Sequence, residues 1–170
     1  VSPSAEEGAA DGVDQDCDGT ESCYEDGDLD GHGSVSTGLV PDLSCVLSGY
    51  SPSADDCDDS DASVSPSAEE GAADGVDQDC DGTESCYVDA DGDGYGTSSL
   101  LSSPDLSCLS EGFSSSPDDC DDSDGSVLPG AAELPADGVD QNCDGTESCY
   151  EDLDLDGYGS GATVDSPGLA

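Results

Sequence analysis

The chain has 170 residues, a formal charge of −44 and no lysine or arginine, which excludes nucleic acid as a partner because phosphate contacts need basic side chains. Leucine, valine and phenylalanine together number 25, and isoleucine is absent, so the apolar core is too small to hold such a charged chain together. The ten cysteines indicate an extracellular or cell-surface protein, and no stretch is long and apolar enough to insert into a membrane. Because regular cysteines are rare in solvated acidic tails, we predict a fold that depends on cations and disulfides.

The sequence repeats with a fixed spacing of 63 residues, which relates Cys17, Cys80 and Cys143. Fixed spacing is typical of a tandem array. One complete repeat spans residues 55–117, between partial repeats at 1–54 and 118–170. We expect an elongated rod or filament of mostly irregular loops, with short strands and isolated helical turns, and interpret the chain as a segment of a longer polymer.

The first predicted element in each repeat is a loop with oxygen-bearing side chains at alternate positions, Asp14, Asp16 and Asp18, followed by Gly19. Such spacing is typical of a calcium loop, with Glu25 at position twelve as a further ligand and the backbone carbonyl of Thr20 completing the arc. In the middle repeat the residue at position twelve is Val88. The equivalent candidate ligands are Asp77, Asp79, Asp81 and Thr83 in the middle repeat, and Asp140, Asn142, Asp144, Thr146 and Glu151 in the last.

A short strand is predicted next, in "ESCYVD", and a second loop of the same type follows it. Its candidate ligands are Asp26, Asp28 and Asp30, with the backbone carbonyl of His32. The positions between the aspartates vary among the repeats while the aspartates do not, which favours coordination over simple acidity. His32 stands where the other repeats have tyrosine, so we expect no copper ligand there. The equivalent candidates are Asp89, Asp91, Asp93 and Tyr95, and Asp152, Asp154, Asp156 and Tyr158, the tyrosines through their carbonyls.

A third acidic cluster, "DDCDDSD", fits no single loop, and we expect it to supply ligands to shared ions. A helical turn is predicted to begin at Ser65-Pro66, since serine suits the N-cap and proline the first helical position. Two sets remain open: Glu7, Glu70 and Glu133 either reach into the first loop or are solvated, and Asp11, Asp74 and Asp137 are either ligands or turn formers. The third-cluster candidates are Asp56, Asp58, Asp59 and Asp61, and Asp119, Asp121, Asp122 and Asp124.

The strings "DCDDSDASVSPSAEE", "DGVDQDCDG" and "YVDADGDGYG" resemble, in that order, the metal-binding repeat of MopE-type bacterial surface proteins. The short helix-free loops are also similar to thrombospondin type 3 repeats. The MopE-type resemblance implies a secreted or surface-exposed bacterial protein with calcium-stapled repeats. The chain departs from the family pattern at Ala72 and Pro135, where the family commonly has cysteine, and it has a cysteine downstream, in "ESC", instead.

Two disulfide schemes fit the spacing. We favour local pairing of neighbouring cysteines. The resemblance suggests that the cysteine in "ESC", which is displaced from the position common in the family, keeps a nearby partner. Local pairing also uses all ten cysteines and clamps the first loop. The other scheme leaves Cys17 and Cys149 to partners beyond the chain. The local pairs are Cys17–Cys23, Cys45–Cys57, Cys80–Cys86, Cys108–Cys120 and Cys143–Cys149; the alternative begins with Cys23–Cys45 and Cys57–Cys80 and then repeats.

Catalysis is not expected, because the chain has one histidine, no lysine or arginine and no phosphate loop. The leading interpretation is a structural calcium-binding segment of an extracellular filament, stalk or adhesin that self-associates or forms a longer polymer. The alternative is a surface calcium store or a mineral-nucleating matrix protein. A calcium ion takes six to eight oxygen ligands, so the 17 acids of the complete repeat predict roughly four ions per repeat. The serine- and threonine-rich stretches are candidate sites for O-glycans.

Overall fold

The computed structural model describes residues 2–167, which form eight short strands joined by irregular loops. Within that range there is no helix, and none of these residues belongs to a helix able to cross a membrane. The prediction of short strands in a mostly irregular chain is confirmed. The strands are β1 (Glu21–Glu25), β2 (Thr37–Val40), β3 (Tyr50–Ser51), β4 (Glu84–Val88), β5 (Leu100–Ser103), β6 (Phe113–Ser114), β7 (Thr146–Tyr150) and β8 (Thr163–Pro167).

The predicted isolated helical turns do not extend into a helix anywhere in the described residues. At Ser65-Pro66 the N–H of Ala68 donates to the Ser65 carbonyl at 2.8 Å, which closes a single turn. The helix does not continue because the following segment is bound elsewhere: the N–H of Gly71 donates to the side-chain oxygen of Gln78 at 2.9 Å. Local hydrogen bonding to loop side chains therefore competes with helix formation.

The chain divides into two compact units, one made of Val1–Gly71 with Val76–Thr83 and the other of Ala72–Gly75 with Glu84–Ala170. In the first unit, β1 lies between β2 and β3, and both pairs are antiparallel. In the second unit, β4 lies between β5 and β6 in the same arrangement, and β7 pairs with β8. In the first unit, the central "ESCY" strand β1 therefore lies, along the chain, directly between the first and second predicted loops of one repeat.

The small core of the first unit is centred on a disulfide. Cys23 is fully buried in β1, and it packs with Val40 and Cys45, against which Ala10 and Tyr50 lie. In the second unit Cys86 and Cys108 are equally buried. The exposed fraction of these cysteines is at most 1%, so the disulfide sulfurs supply much of the apolar burial that the composition otherwise lacks.

The observed disulfides show that the local pairing scheme is wrong. The bonds are those of the alternative scheme, and Cys17 and Cys149 have no disulfide partner within the described chain. The physical reason is the strand: Cys23 faces the core from the middle of β1, where β2 and the turn after it bring Cys45 to a Cα–Cα distance of 5.4 Å, whereas Cys17 is exposed in the preceding loop. The four bonds are Cys23–Cys45, Cys57–Cys80, Cys86–Cys108 and Cys120–Cys143.

Candidate metal centres

The first loop of a repeat brings three carboxylates together. Oxygen atoms of Glu7, Asp14 and Asp16 lie within 4.8 Å of one another, as do those of Glu70, Asp77 and Asp79. In the loop itself, the N–H of Gly19 donates to Asp14 at 2.9 Å, and Gly19 has a φ of 89°, a left-handed conformation that favours glycine. The loop backbone thus bends around the carboxylates that it carries.

Glu7 precedes the first loop in the sequence, and backbone groups of that loop hold its side chain. Its Oε1 accepts the N–H groups of Gln15 at 2.8 Å and Asp16 at 3.0 Å. Its Oε2 is buried and has no hydrogen-bond partner in the described residues. One oxygen therefore positions the side chain while the other accepts no hydrogen bond, and the structure places Glu7 in the cluster with the two aspartates rather than in solvent.

Sequence reasoning missed the glutamine between the aspartates. The Oε1 of Gln15 accepts the N–H of Gly8 at 3.2 Å, and its Nε2 donates to Asp11 at 2.7 Å. Asp11 also accepts the N–H of Val13 at 2.9 Å, so it forms the turn and holds the glutamine instead of joining the cluster. Gln141 and Asp137 repeat this arrangement. The glutamine is present at this position in all three repeats, and that repetition was the sequence signal that could have identified it.

In the first loop of the last repeat, the side-chain amide of Asn142 stands where the other repeats have an aspartate carboxylate. Glu133 accepts the N–H of Asn142 at 3.0 Å, and Gly145 donates to Asp140 at 2.7 Å. The Oε2 of Glu133 is buried without a hydrogen-bond partner among the residues described. The arrangement therefore persists with one fewer negative charge, as expected of an oxygen ligand set in which an amide oxygen can replace a carboxylate.

The second loop forms a separate cluster at the end of the central strand. Oxygens of Asp26, Asp28 and Asp30 lie within 4.8 Å of one another. Asp26 is 6% exposed and accepts the N–H groups of Leu29 at 2.7 Å and Gly31 at 3.3 Å. Burial raises the pKa of Asp28 because it disfavours the charged form, and the charges of Asp30 and Asp26 add to this. The equivalent clusters are Asp89, Asp91 and Asp93, and Asp152, Asp154 and Asp156.

The aspartates of the third acidic cluster, "DDCDDSD", fall into two groups with different contacts. Asp56 has a buried Oδ2 without a hydrogen-bond partner in the described chain, and Asp59 accepts the N–H of Gly27 at 2.6 Å. Asp58 and Asp61 are exposed and accept the hydroxyls of the serines two residues later. Asp56 and Asp59 therefore lie against the second loop, whereas the other two form turns. Asp119, Asp122, Asp121 and Asp124 occupy the corresponding positions in the next repeat.

Several predicted ligands lie outside these clusters. Asp18 accepts both the N–H and the hydroxyl of Thr20, at 2.8 and 2.6 Å, and these bonds lower its pKa. Asp81 and Asp144 bind Thr83 and Thr146 in the same way. Glu25 is an exposed residue at the end of β1. Its carbonyl accepts the N–H of Ser34 at 2.8 Å, and the carbonyls of Val88 and Glu151 accept equivalent bonds, so position twelve has a backbone role that valine can also fill.

His32 does not enter a cluster through its ring. Its Nδ1 lies 3.0 Å from Asp55, and this hydrogen bond raises the pKa of His32. Its backbone N–H donates to Asp30 at 2.8 Å. Tyr95 and Tyr158 donate to Asp93 and Asp156 in the same way, at 2.8 and 2.9 Å. The side chain at this position is therefore free to vary, since the shared contribution comes from the backbone.

The donor chemistry fits a hard divalent cation. Both kinds of cluster offer oxygen atoms only, from carboxylates and, in the last repeat, also from the amide of Asn142. Several of the carboxylate oxygens are buried without a hydrogen-bond partner in the described residues. A buried anionic oxygen is costly unless a donor or a cation satisfies it. Oxygen-only sites suit calcium or magnesium, whereas copper prefers imidazole or sulfur ligands.

Comparison with known families finds a model that matches parts of this chain. Residues 1–22, 56–85 and 119–149 match the MopE-type family model, described as a putative metal-binding motif. The chain therefore carries three segments that match this motif, which confirms the resemblance found in the sequence. Comparison with curated proteins and with solved structures finds no significant match. The matched segments contain the first-loop clusters and Asp56 and Asp119, while the second loops lie outside them.

Proposed function

We propose that this chain is a calcium-binding structural segment of an extracellular or cell-surface filament, stalk or adhesin. The observation that carries the proposal is the convergence of buried carboxylate oxygens, without hydrogen-bond partners among the described residues, in a chain that has no lysine or arginine. Cations are the remaining means of offsetting their charge. Their binding supplies folding free energy that a core of a few buried cysteines and valines does not.

Calcium is the cation that the clusters favour. Each cluster combines carboxylates from a short, irregular loop, and calcium accepts six to eight oxygens in variable geometry, whereas magnesium demands a near-ideal octahedron and usually keeps several waters. Copper is disfavoured because the single histidine is hydrogen-bonded to Asp55. Calcium is also compatible with the amide oxygen of Asn142 in the last repeat.

The close similarity of the repeats supports a structural role. Residues 1–24 and 64–87 are identical, and the two three-stranded sheets have the same order. Repetition of this kind suits a polymer in which every segment does the same mechanical work. Four disulfides support an oxidising environment outside the cell. Half-buried clusters favour a fixed ion stoichiometry over the open carboxylate face that mineral nucleation would need.

The proposal is tested by titrating chelator-treated 170-residue protein with calcium, magnesium and copper. We expect calcium to bind at a fixed stoichiometry, and to restore the tyrosine near-ultraviolet circular dichroism and the compact scattering dimensions lost on chelation. Because the disulfides remain intact, any expansion on chelation reports the cations alone. Dimensions that do not change in excess chelator, or copper binding more tightly than calcium, would contradict the proposal.

A further inference from the structure

We propose that the ion of the second loop is held by two separate parts of the chain, with Asp56 as a remote ligand and Asp59 as the positioning residue, and with Asp119 and Asp122 in these roles in the next repeat. The inference rests on the proposed function and gives the second-loop ion a specific task. An ion bound in this way ties the end of the central strand to a segment about thirty residues further along the chain.

The backbone already brings the two segments together at both ends of the loop. At the start, the N–H of Gly27 donates to Asp59 at 2.6 Å, and at the end, the N–H of Asp56 donates to the Gly33 carbonyl at 3.2 Å. The second unit has the same two bonds: Ala90 to Asp122 at 2.7 Å and Asp119 to Gly96 at 3.1 Å. Asp59 therefore orients the loop, and its neighbour Asp56 lies beside the second-loop aspartates.

Both segments carry buried carboxylate oxygens that lack a hydrogen-bond partner among the described residues. Asp28, Asp30 and Asp56 each have a buried Oδ2 without a hydrogen-bond partner among the described residues. The pKa of Asp56 is raised, first by burial and then by the charges of Asp28 and Asp30. With Asp26, the set reaches four carboxylates, about the number that a calcium ion takes in a protein loop. Asp91, Asp93 and Asp119 show the same three buried oxygens.

In the last repeat, the described residues include the second loop but not the acidic segment that follows it in the other repeats. Asp152, Asp154 and Asp156 still cluster, and Gly157 still donates to Asp152 at 2.9 Å. Within residues 2–167, however, no downstream acidic segment packs against this loop. Asp154 and Asp156 are exposed, whereas their counterparts Asp28 and Asp30 are half-buried. The loop conformation is therefore local, while its burial comes from the remote segment.

The test uses the whole 170-residue chain and two matched double variants. D56N/D119N removes one charge from each proposed composite site, and D58N/D121N removes the same charge from neighbouring exposed residues that bind only serine and backbone groups. Calcium affinity is measured by competition with a chelator. We expect D56N/D119N to weaken two sites by about tenfold or more, because each site loses a carboxylate charge and keeps only an amide oxygen, a larger change than loss of an outer-shell partner. We expect D58N/D121N to change no site more than about twofold.

A second measurement needs no variant and covers the case in which D56N/D119N does not fold. Amide hydrogen exchange of the wild-type chain should slow at residues 55–60 and 118–123 as calcium is added, in parallel with residues 26–31 and 89–94. If calcium protects the second loops but not these remote segments, or if both double variants bind equally well, the composite site is wrong and the proposed function stands. If the wild-type chain binds no calcium, the proposed function itself fails.

Discussion

Cys17 and Cys80 occupy the same position of the first loop with nearly the same left-handed backbone, at φ values of 63° and 58°, yet only Cys80 forms a disulfide. The loop therefore does not need the disulfide to adopt its shape. Its shape comes from backbone donors that bind the aspartates, such as Asp18 N–H to Asp14 at 3.1 Å and Asp81 N–H to Asp77 at 3.0 Å. The disulfide instead connects a preformed loop to the acidic segment that carries Cys57.

We predict two reactive thiols in the oxidised 170-residue chain. Alkylation under native conditions should modify the exposed Cys17 first and the half-buried Cys149 more slowly, because access to the sulfur limits the reaction. The measurement is intact mass after timed alkylation, followed by digestion with an Asp-directed protease. A chain with no free thiol, or a peptide joining Cys17 to Cys23, would contradict the structure.

The buried Glu147 should stabilise the turn before the first loop of the last repeat. It is 6% exposed and accepts the N–H groups of Ala136 at 2.9 Å and Gly138 at 3.1 Å. We expect E147A to lower the free energy of unfolding of the calcium-loaded chain by about 2 kcal/mol, since hydrogen bonds to a charged group are lost.

The control for Glu147 is E111A, because Glu111 is exposed. This variant should change the free energy of unfolding by less than about 0.5 kcal/mol. The measurement is denaturant unfolding in saturating calcium. Equal effects of the two substitutions would show that burial of Glu147 contributes nothing.

Asp105 should remain ionised well below the usual range for aspartate. The hydroxyl of Ser107 at 2.7 Å, its N–H at 3.1 Å and the hydroxyl of Ser110 at 2.9 Å lower the pKa of Asp105 to about 2. Because this pKa is lowered on folding, the stabilisation is present above the unfolded value near 3.8 and is lost as the pH falls through about 2.

The first repeat supplies the matched comparison for Asp105. Asp42 has the same serine contacts from Ser44, but Leu47 stands at the position of Ser110. We expect S110L to raise the pKa of Asp105, as followed by carboxyl carbon NMR, and S115A at an exposed neighbouring serine to leave it unchanged. A pKa of Asp105 that does not respond to loss of Ser110 would rule out that hydroxyl as a cause.

The single histidine provides a pH-dependent probe of the first unit. The hydrogen bond between the His32 ring and the Asp55 carboxylate raises the pKa of His32 above its ordinary value of 6.5. The stabilisation is therefore fully present below pH 6.5 and is lost as the pH rises through the raised pKa.

We expect D55N to lower the pKa of His32 in the calcium-loaded protein, and to destabilise that protein more at pH 5.5 than at pH 8. The pKa is read from the histidine ring proton by NMR, and D42N, in the turn that follows β2, serves as the control. Equal histidine titration curves in the wild type and D55N would show that the pair does not form in solution.

Alternate aspartates were sufficient to locate both loops, because that pattern is local and glycine marks the bend. Glu7 and Asp56 were harder to assign, since their placement depends on hydrogen bonds to distant backbone groups, namely those of Gln15 and Gly33. The disulfide prediction was wrong because closeness in sequence was given too much weight. Cys17 and Cys23 are six residues apart, but one is exposed in a loop and the other faces the core. The metal identity stays a prediction.

The Cys57–Cys80 bond also determines how much of the first unit can be extended by force. Tension applied across this segment passes through the sulfur atoms, so the residues between them contribute no length unless the bond is reduced. With a sequence separation of 23, about 80 Å of chain is withheld from extension, at roughly 3.5 Å per residue. A reductant would therefore lengthen a stretched segment in a discrete step, without cutting the backbone.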